Sequence, residues 1–101
     1  MLVPETLLEP IHPGEILKEE FMEPLGLSSH ALSLALRVPA TRIGEIVRCR
    51  RSISPDTALR LGRFFGTTPD LWLGLQTEFD LRTARRELSD QIEREVQPRI
   101  A

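Results

Sequence analysis

Five arginines, Arg37, Arg42, Arg48, Arg50 and Arg51, fall between residues 37 and 51 and meet a single acid there, Glu45, for a local net charge of +4. Guanidinium groups at that density can hold phosphate oxygens or pair with O6 and N7 of a guanine. The chain as a whole carries a net charge of −2, so any surface for a polyanion must be local. A solvated, arginine-rich face would have the same charge. What separates the two readings is whether the arginines sit on a helix placed to enter a groove.

The other reactive side chains do not assemble a catalytic centre. His12 and His30 lie in different segments, and Cys49 is the lone cysteine. Glu19 and Glu20 are adjacent on an expected helix and point apart. No phosphate loop, nucleophile elbow or HExxH pattern occurs. One cysteine excludes an internal disulfide and a multi-cysteine metal site. No cofactor and no metal is expected, and the chain is not read as an enzyme.

The elements that must position the arginines are marked by strong start signals. Ser54-Pro55 and Thr68-Pro69 each place a capping hydroxyl before a proline at the first helical position. His12-Pro13 and Val38-Pro39 also set proline at a first turn, and Ser28 or Ser29 can cap the helix after Leu27. Five helices follow, and no strand: an all-α fold. The first spans about Pro13 to Met22 with Ile16, Leu17 and Phe21 on one face, ended by Pro24-Leu25-Gly26. The second spans about Ser29 to Leu36 and should bury Ala31, Leu32, Ala35 and Leu36. The third, about Pro39 to Arg48, has Ile43, Ile46 and Val47 as a core stripe. The fourth, about Pro55 to Phe65, turns Ala58, Leu61 and Phe65 inward and stops at Gly66. The fifth starts at Pro69 with Leu71, Trp72, Leu75 and Phe79. It either continues through Arg86 or restarts over Glu87 to Val96.

The second and third helices, joined by a tight corner, have the layout of a helix-turn-helix, whose second helix enters the major groove. With Ile43, Ile46 and Val47 buried, the outward positions are Ala40, Thr41, Arg42, Gly44, Glu45 and Arg48. Ala40, Thr41, Gly44 and Arg48 are the candidates for base edges. Ala40 or the Thr41 methyl suits a thymine methyl, and Arg48 suits guanine. Gly44 costs about 1 kcal/mol against alanine inside a helix, which either close approach by a base or tight packing would explain. Arg42 can pair with Glu45 three residues on or contact DNA. Arg50 and Arg51 leave the helix and are candidates for phosphate. Ser28 and Ser29 either cap the second helix or, with its free N–H groups, meet a phosphate.

At 101 residues the chain fits one domain: an arm over residues 1–10, the helix-turn-helix domain over 11–81, and a helical or partly disordered tail over 82–101. No apolar run reaches membrane length. The expected setting is the bacterial cytoplasm at the nucleoid, with no membrane.

Four segments carry a resemblance to a known family: IHPGEILKEEF at 11–21, VPATRIGEIV at 38–47, ISPDTALRLGRFFGTTPDLWLGLQ at 53–76, and FDL at 79–81. They are similar to the HigA-type, VapI-like antitoxins of the Xre/Cro helix-turn-helix superfamily. The resemblance implies a five-helix, lambda-repressor-like fold; the C-terminal helical extension is read from the residues beyond it. The resemblance also implies a homodimer on a palindromic double-stranded operator in its own promoter, repressing transcription. It implies as partner a HigB- or RelE-like toxin that cuts messenger RNA on the ribosome. By position, the DNA-contacting residues would be Ala40, Thr41, Arg42 and Arg48, with Ser28 and Ser29 near phosphate. Three positions depart from the family pattern: Ser29 where glutamine is common, and Arg37 and Cys49 where glycine is usual, so that two non-glycine residues would need φ > 0.

Two further surfaces are candidates for partners. Glu15, Glu19, Glu20 and Glu23 on the first helix could attract a basic nuclease, or simply form a solvated face. Leu75, Phe79 and Leu81 on the fifth could form the dimer interface, with Trp72 closing the core. A repressor without a toxin, and an interaction module that has lost DNA binding, are the competing functions.

Overall fold

Ser28, Ser54 and Thr68 each stand in extended backbone and accept a hydrogen bond from the amide three residues on: Ala31 at 3.0 Å, Thr57 at 3.3 Å and Leu71 at 3.2 Å. These caps fix three of the five helix starts. A fourth start uses histidine: Nδ1 of His12 accepts from the Gly14 amide at 2.9 Å. In the computed structural model, which describes residues 9–100, the chain is all-helical among those residues. Helix α1 is a continuous run of Pro13–Ile16, a π-helical turn over Leu17–Met22, and Glu23–Leu25. It is followed by α2 (Ser29–Leu36), α3 (Ala40–Val47), α4 (Pro55–Phe65) and α5 (Pro69–Glu95).

Helix α1 differs from expectation. Pro24 does not end it but lies inside it, and the end falls at Gly26, which adopts φ +65°. A proline ring collides with the carbonyl four residues back, here Glu20. The widened turn just before it, with the Glu23 amide reaching Lys18 O, accommodates the ring. Gly26 then closes the helix with its amide on Glu23 O at 3.0 Å and the Leu27 amide on Met22 O at 2.9 Å, the paired bonds of a Schellman end.

Helix α5 also exceeds expectation, running unbroken through residues 81 and 87 to Glu95. Its first half covers the core, whereas residues 85–100 are exposed throughout. At 1.5 Å per residue its 27 residues span roughly 40 Å. This explains a longest extent of 52 Å and a radius of gyration of 16.7 Å, against about 13 Å for a compact chain of this length.

The core is Leu17, Met22, Leu32, Leu36, Ile43, Ile46, Ile53, Ala58, Leu61 and Trp72. Phe21 and Phe65 pack beside Trp72, whose Nε1 donates to Thr67 Oγ1 at 2.9 Å. The facing of α2 differs in part. Ala35 is exposed, and Ser33 takes the buried position, its hydroxyl donating to His30 O at 2.7 Å. On α5, where no facing was assigned to either residue, Leu71 is exposed and Gln76 is buried. Gln76 Oε1 accepts from the Ile53 amide at 2.8 Å, and its Nε2 donates to Asp80 at 2.9 Å. This amide satisfies the backbone where the chain leaves the α3–α4 loop. Gly14 lies against the end of α3: a Cβ there would stand 1.8 Å from Ile46 O. The start of α1 is thereby held against the groove-facing helix.

Candidate nucleic-acid interface

Helices α2 and α3 are joined through Arg37, Val38 and Pro39. Arg37 adopts φ +60° and Cys49, just past α3, adopts φ +62°. Both are helix ends of the type glycine usually fills. The Val38 amide reaches Ser33 O at 3.1 Å, and the Arg50 amide reaches Glu45 O at 2.8 Å. The two positive φ angles expected from the departures at Arg37 and Cys49 are present. Each costs about 1 kcal/mol relative to glycine. The corner keeps its geometry at that cost.

On α3, Ala40, Thr41 and Arg48 are exposed, Arg42 and Glu45 are half-buried, and Gly44 is buried. The outward reading of Gly44 is therefore corrected. The Arg48 side chain lies over it, with Nη1 3.5 Å from where a Gly44 Cβ would be, and among the described residues nothing else outside the helix's own backbone and the adjoining residues comes within 4 Å of that point. An ordinary contact of that length would accommodate a methyl group, so packing within the chain does not require glycine.

Two of the five arginines are held by acids. Arg42 pairs not with Glu45 but with Asp56 in the first turn of α4, at 2.5 Å. Glu45 pairs with Arg51 at 2.7 Å. Asp56 also receives Arg60 Nε at 3.1 Å, and Arg60 Nη1 donates to Leu36 O at 2.9 Å. Hydrogen bonds from Arg42 and then Arg60 hold the Asp56 carboxyl below its usual range. Arg42, Arg51, Ser52, Ser54, Asp56, Thr57 and Arg60 line a cleft of about 520 Å³ at the start of α4. Among the described residues no ion pair involves Arg37, Arg48 or Arg50, so these guanidiniums are available to an anion. At the start of α2, Ser28 spends its hydroxyl oxygen as the cap and stays exposed, while Ser29 is half-buried.

The acidic residues Glu15, Glu19, Glu20 and Glu23 are all exposed on α1. Glu15 borders the exit of α3 closely enough that, after burial, its charge is the second cause raising the Cys49 thiol. Leu75, Phe79 and Leu81 do not share one surface. Phe79 packs edge-on to His12, with ring centroids 4.9 Å apart, and Leu75 packs on the core. Together with Ile11 and Ile16 they line a small cleft between the start of α1 and α5. Leu81, two residues beyond Phe79 and so about 200° around the helix, is 45% exposed. The arm over residues 1–10 lies mostly outside the described residues; Glu9, at its end, pairs with Arg86 at 3.1 Å.

Asp56, Arg60 and Gln76 escaped the reading of the sequence. The four-residue spacing of Asp56 and Arg60 was a usable signal. The fourteen-residue separation of Arg42 and Asp56 carried none.

Among the described residues no cluster of His, Cys, Asp or Glu could hold a metal ion, and no helix is long and apolar enough to cross a membrane. The helix-turn-helix family pattern (HTH_3) matches residues 18–72, from α1 to Trp72. Virulence-associated protein I of Dichelobacter nodosus is 56% identical over 77 residues, 76% of this chain and 71% of that protein. The structure of the Pseudomonas aeruginosa antitoxin HigA with the higBA promoter matches with a TM-score of 0.87 and 47% identity, covering 90% of this chain and 99% of that one. The antitoxin GraA in complex with its operator matches with a TM-score of 0.88 and 49% identity, covering 93% and 95%. The chain belongs to the Xre-type helix-turn-helix family, in its HigA- and VapI-like antitoxin branch, a group of DNA-binding transcription regulators that are not enzymes.

Proposed function

We propose that this chain is the antitoxin of a toxin–antitoxin pair: it binds a palindromic operator in its own promoter as a homodimer, represses that promoter, and neutralises a basic, RelE-like ribonuclease. The observation that carries the DNA reading is the outer edge of α3. Ala40, Thr41 and Arg48 are exposed there, and no acid among the described residues pairs with Arg48. Arg37 and Arg50 flank that edge as phosphate contacts, and Arg51 reaches a phosphate by exchanging Glu45 for it. Ser28 and Ser29 place the start of α2 at the backbone. The α1 carboxylates Glu15, Glu19, Glu20 and Glu23 present a negative surface to a nuclease that must itself be basic to approach RNA.

Binding of the purified protein to its own promoter fragment, read by fluorescence anisotropy, tests the first half. Arg48→Ala should weaken binding by about 1–3 kcal/mol without lowering the melting temperature; unchanged affinity would remove α3 from the groove. Purification from native cells tests the second half. A stoichiometric small basic protein is expected. A homodimer without a partner would leave a repressor that works alone.

A further inference from the structure

The groove-facing helix has two fastenings outside its apolar core. One is the seat of Gly14 against Ile46 O at the far end of α3. The other is a chain of charged groups at its near end. Arg42 lies in the first turn of α3, Asp56 in the first turn of α4, and Arg60 one turn further along α4. Asp56 accepts from Arg42 through Oδ2 and from Arg60 Nε at 3.1 and 3.2 Å. Arg60 Nη1 ends the chain on the carbonyl of Leu36, the last residue of α2, at 2.9 Å. This carbonyl belongs to the last turn of α2, where no amide of the helix can reach it. The chain therefore runs from the end of α2, across α4, to the start of α3, and spans the Arg37–Pro39 corner from outside.

This chain is the polar side-chain tie on the open side of that corner. Asp56 and Arg60 form the common wall of two open clefts. One is about 600 Å³, lined also by Ala35, Leu36, Leu59 and Phe64, and the other is the polar cleft of about 520 Å³ beside Arg42. Neither cleft is filled by apolar packing. The corner itself is held at an unfavourable angle by Arg37. Leu36 and Val38 pack the corner on the core from one side; on its open side, the angle between the two helices is left to directional bonds. Two charge-assisted links and a fork-shaped guanidinium supply directional bonds of that kind.

We propose that Asp56 and Arg60 are positioning residues for operator recognition: through Arg42 they set the angle of α3 to α2, and they do so without touching DNA. This inference rests on the operator-binding function. It also implies that Arg42 is held in the protein rather than reading a base. The alternative is that Asp56 only masks the positive charge of Arg42. The two accounts differ in sign, because a mask that is removed raises affinity and a brace that is removed lowers it.

The test uses the full chain, its promoter duplex and an unrelated duplex of equal length, each titrated over a series of salt concentrations. Asp56→Asn and Arg60→Met should each lower promoter affinity about tenfold, the size of coupling expected between linked groups. Affinity for unrelated DNA and the salt slope should be kept, since no phosphate contact is lost. Arg42→Ala combined with Asp56→Asn should cost no more than either alone. A rise in affinity for both duplexes with Asp56→Asn would establish the mask and overturn the brace. A salt slope reduced by about one with Arg60→Met would place Arg60 on a phosphate and also overturn it. Equal losses on both duplexes with a lower melting temperature would reduce the pair to general stability. If the wild-type protein does not prefer its promoter, the operator function fails instead. Amide hydrogen exchange then decides the brace alone: Asp56→Asn must speed exchange at Arg37, Val38 and Ala40, and unchanged exchange there overturns it.

Discussion

At the scale of single residues, the two positive φ angles are the clearest strain in the molecule. Arg37 and Cys49 occupy helix ends where a Cβ is unfavourable. Arg37→Gly and Cys49→Gly should each stabilise the fold by about 1 kcal/mol, read as a rise of roughly 4–8 °C in melting temperature for a domain of this size. His12 makes a second residue-scale prediction. Burial lowers its imidazole pKa, against the opposing charges of Asp80 and Glu15. The neutral ring accepts the Gly14 amide and packs on Phe79. The unfolded chain binds this proton more readily than the folded one, so the contribution is complete above the ordinary histidine pKa of about 6.5 and is lost as pH falls through the lower folded value. Urea midpoints should drop from pH 7 to pH 5. His12→Asn, which keeps a capping oxygen, should show a shallower fall.

At the scale of elements, capping predicted the helices better than facing did. The hydroxyl-proline pairs and Gly66 put α4 at its observed bounds, and α2 likewise matched. Ala35 was misplaced, and the burial of Ser33 and Gln76 went unread, because an eight-residue helix such as α2, or the start of a long one, fits its buried face to neighbours as well as to its own period. Gln76 joins two elements: α5 supplies the acceptor for an amide in the α3–α4 loop. Gln76→Leu keeps the bulk but leaves the buried Ile53 amide unbonded, which should cost about 1–3 kcal/mol, measured by chemical denaturation.

At the scale of the whole molecule, an acidic protein presents a basic edge. The −2 net charge hides a split between the α1 carboxylates and the arginines around α3, and two of those arginines are already paired internally. The phosphate interface proposed here should therefore be real but modest. Promoter affinity should fall with rising salt, with a slope set by Arg37, Arg48 and Arg50, which pair with no acid among the described residues, and by Arg51 once it leaves Glu45. A flat salt dependence would mean that this edge does not meet DNA. The exposed distal half of α5, from residue 85 onward, stands off the body and enlarges the surface a partner could meet.

Local signals in the sequence were enough for the helix count, the helix starts and the exposure of Ala40, Thr41 and Arg48; the two strained helix ends at Arg37 and Cys49 came from the family resemblance. The local signals depend on dihedral preference, capping or a single-helix period, which act over a few residues. The pairing of Arg42 with Asp56, the burial of Gly44 under Arg48, the separation of Leu81 from Phe79 and the single long α5 were decided only in the tertiary structure. An arginine chooses its acid by distance in space, and the acid that wins is the one that packing brings within reach: Asp56 from another helix, rather than Glu45 three residues away.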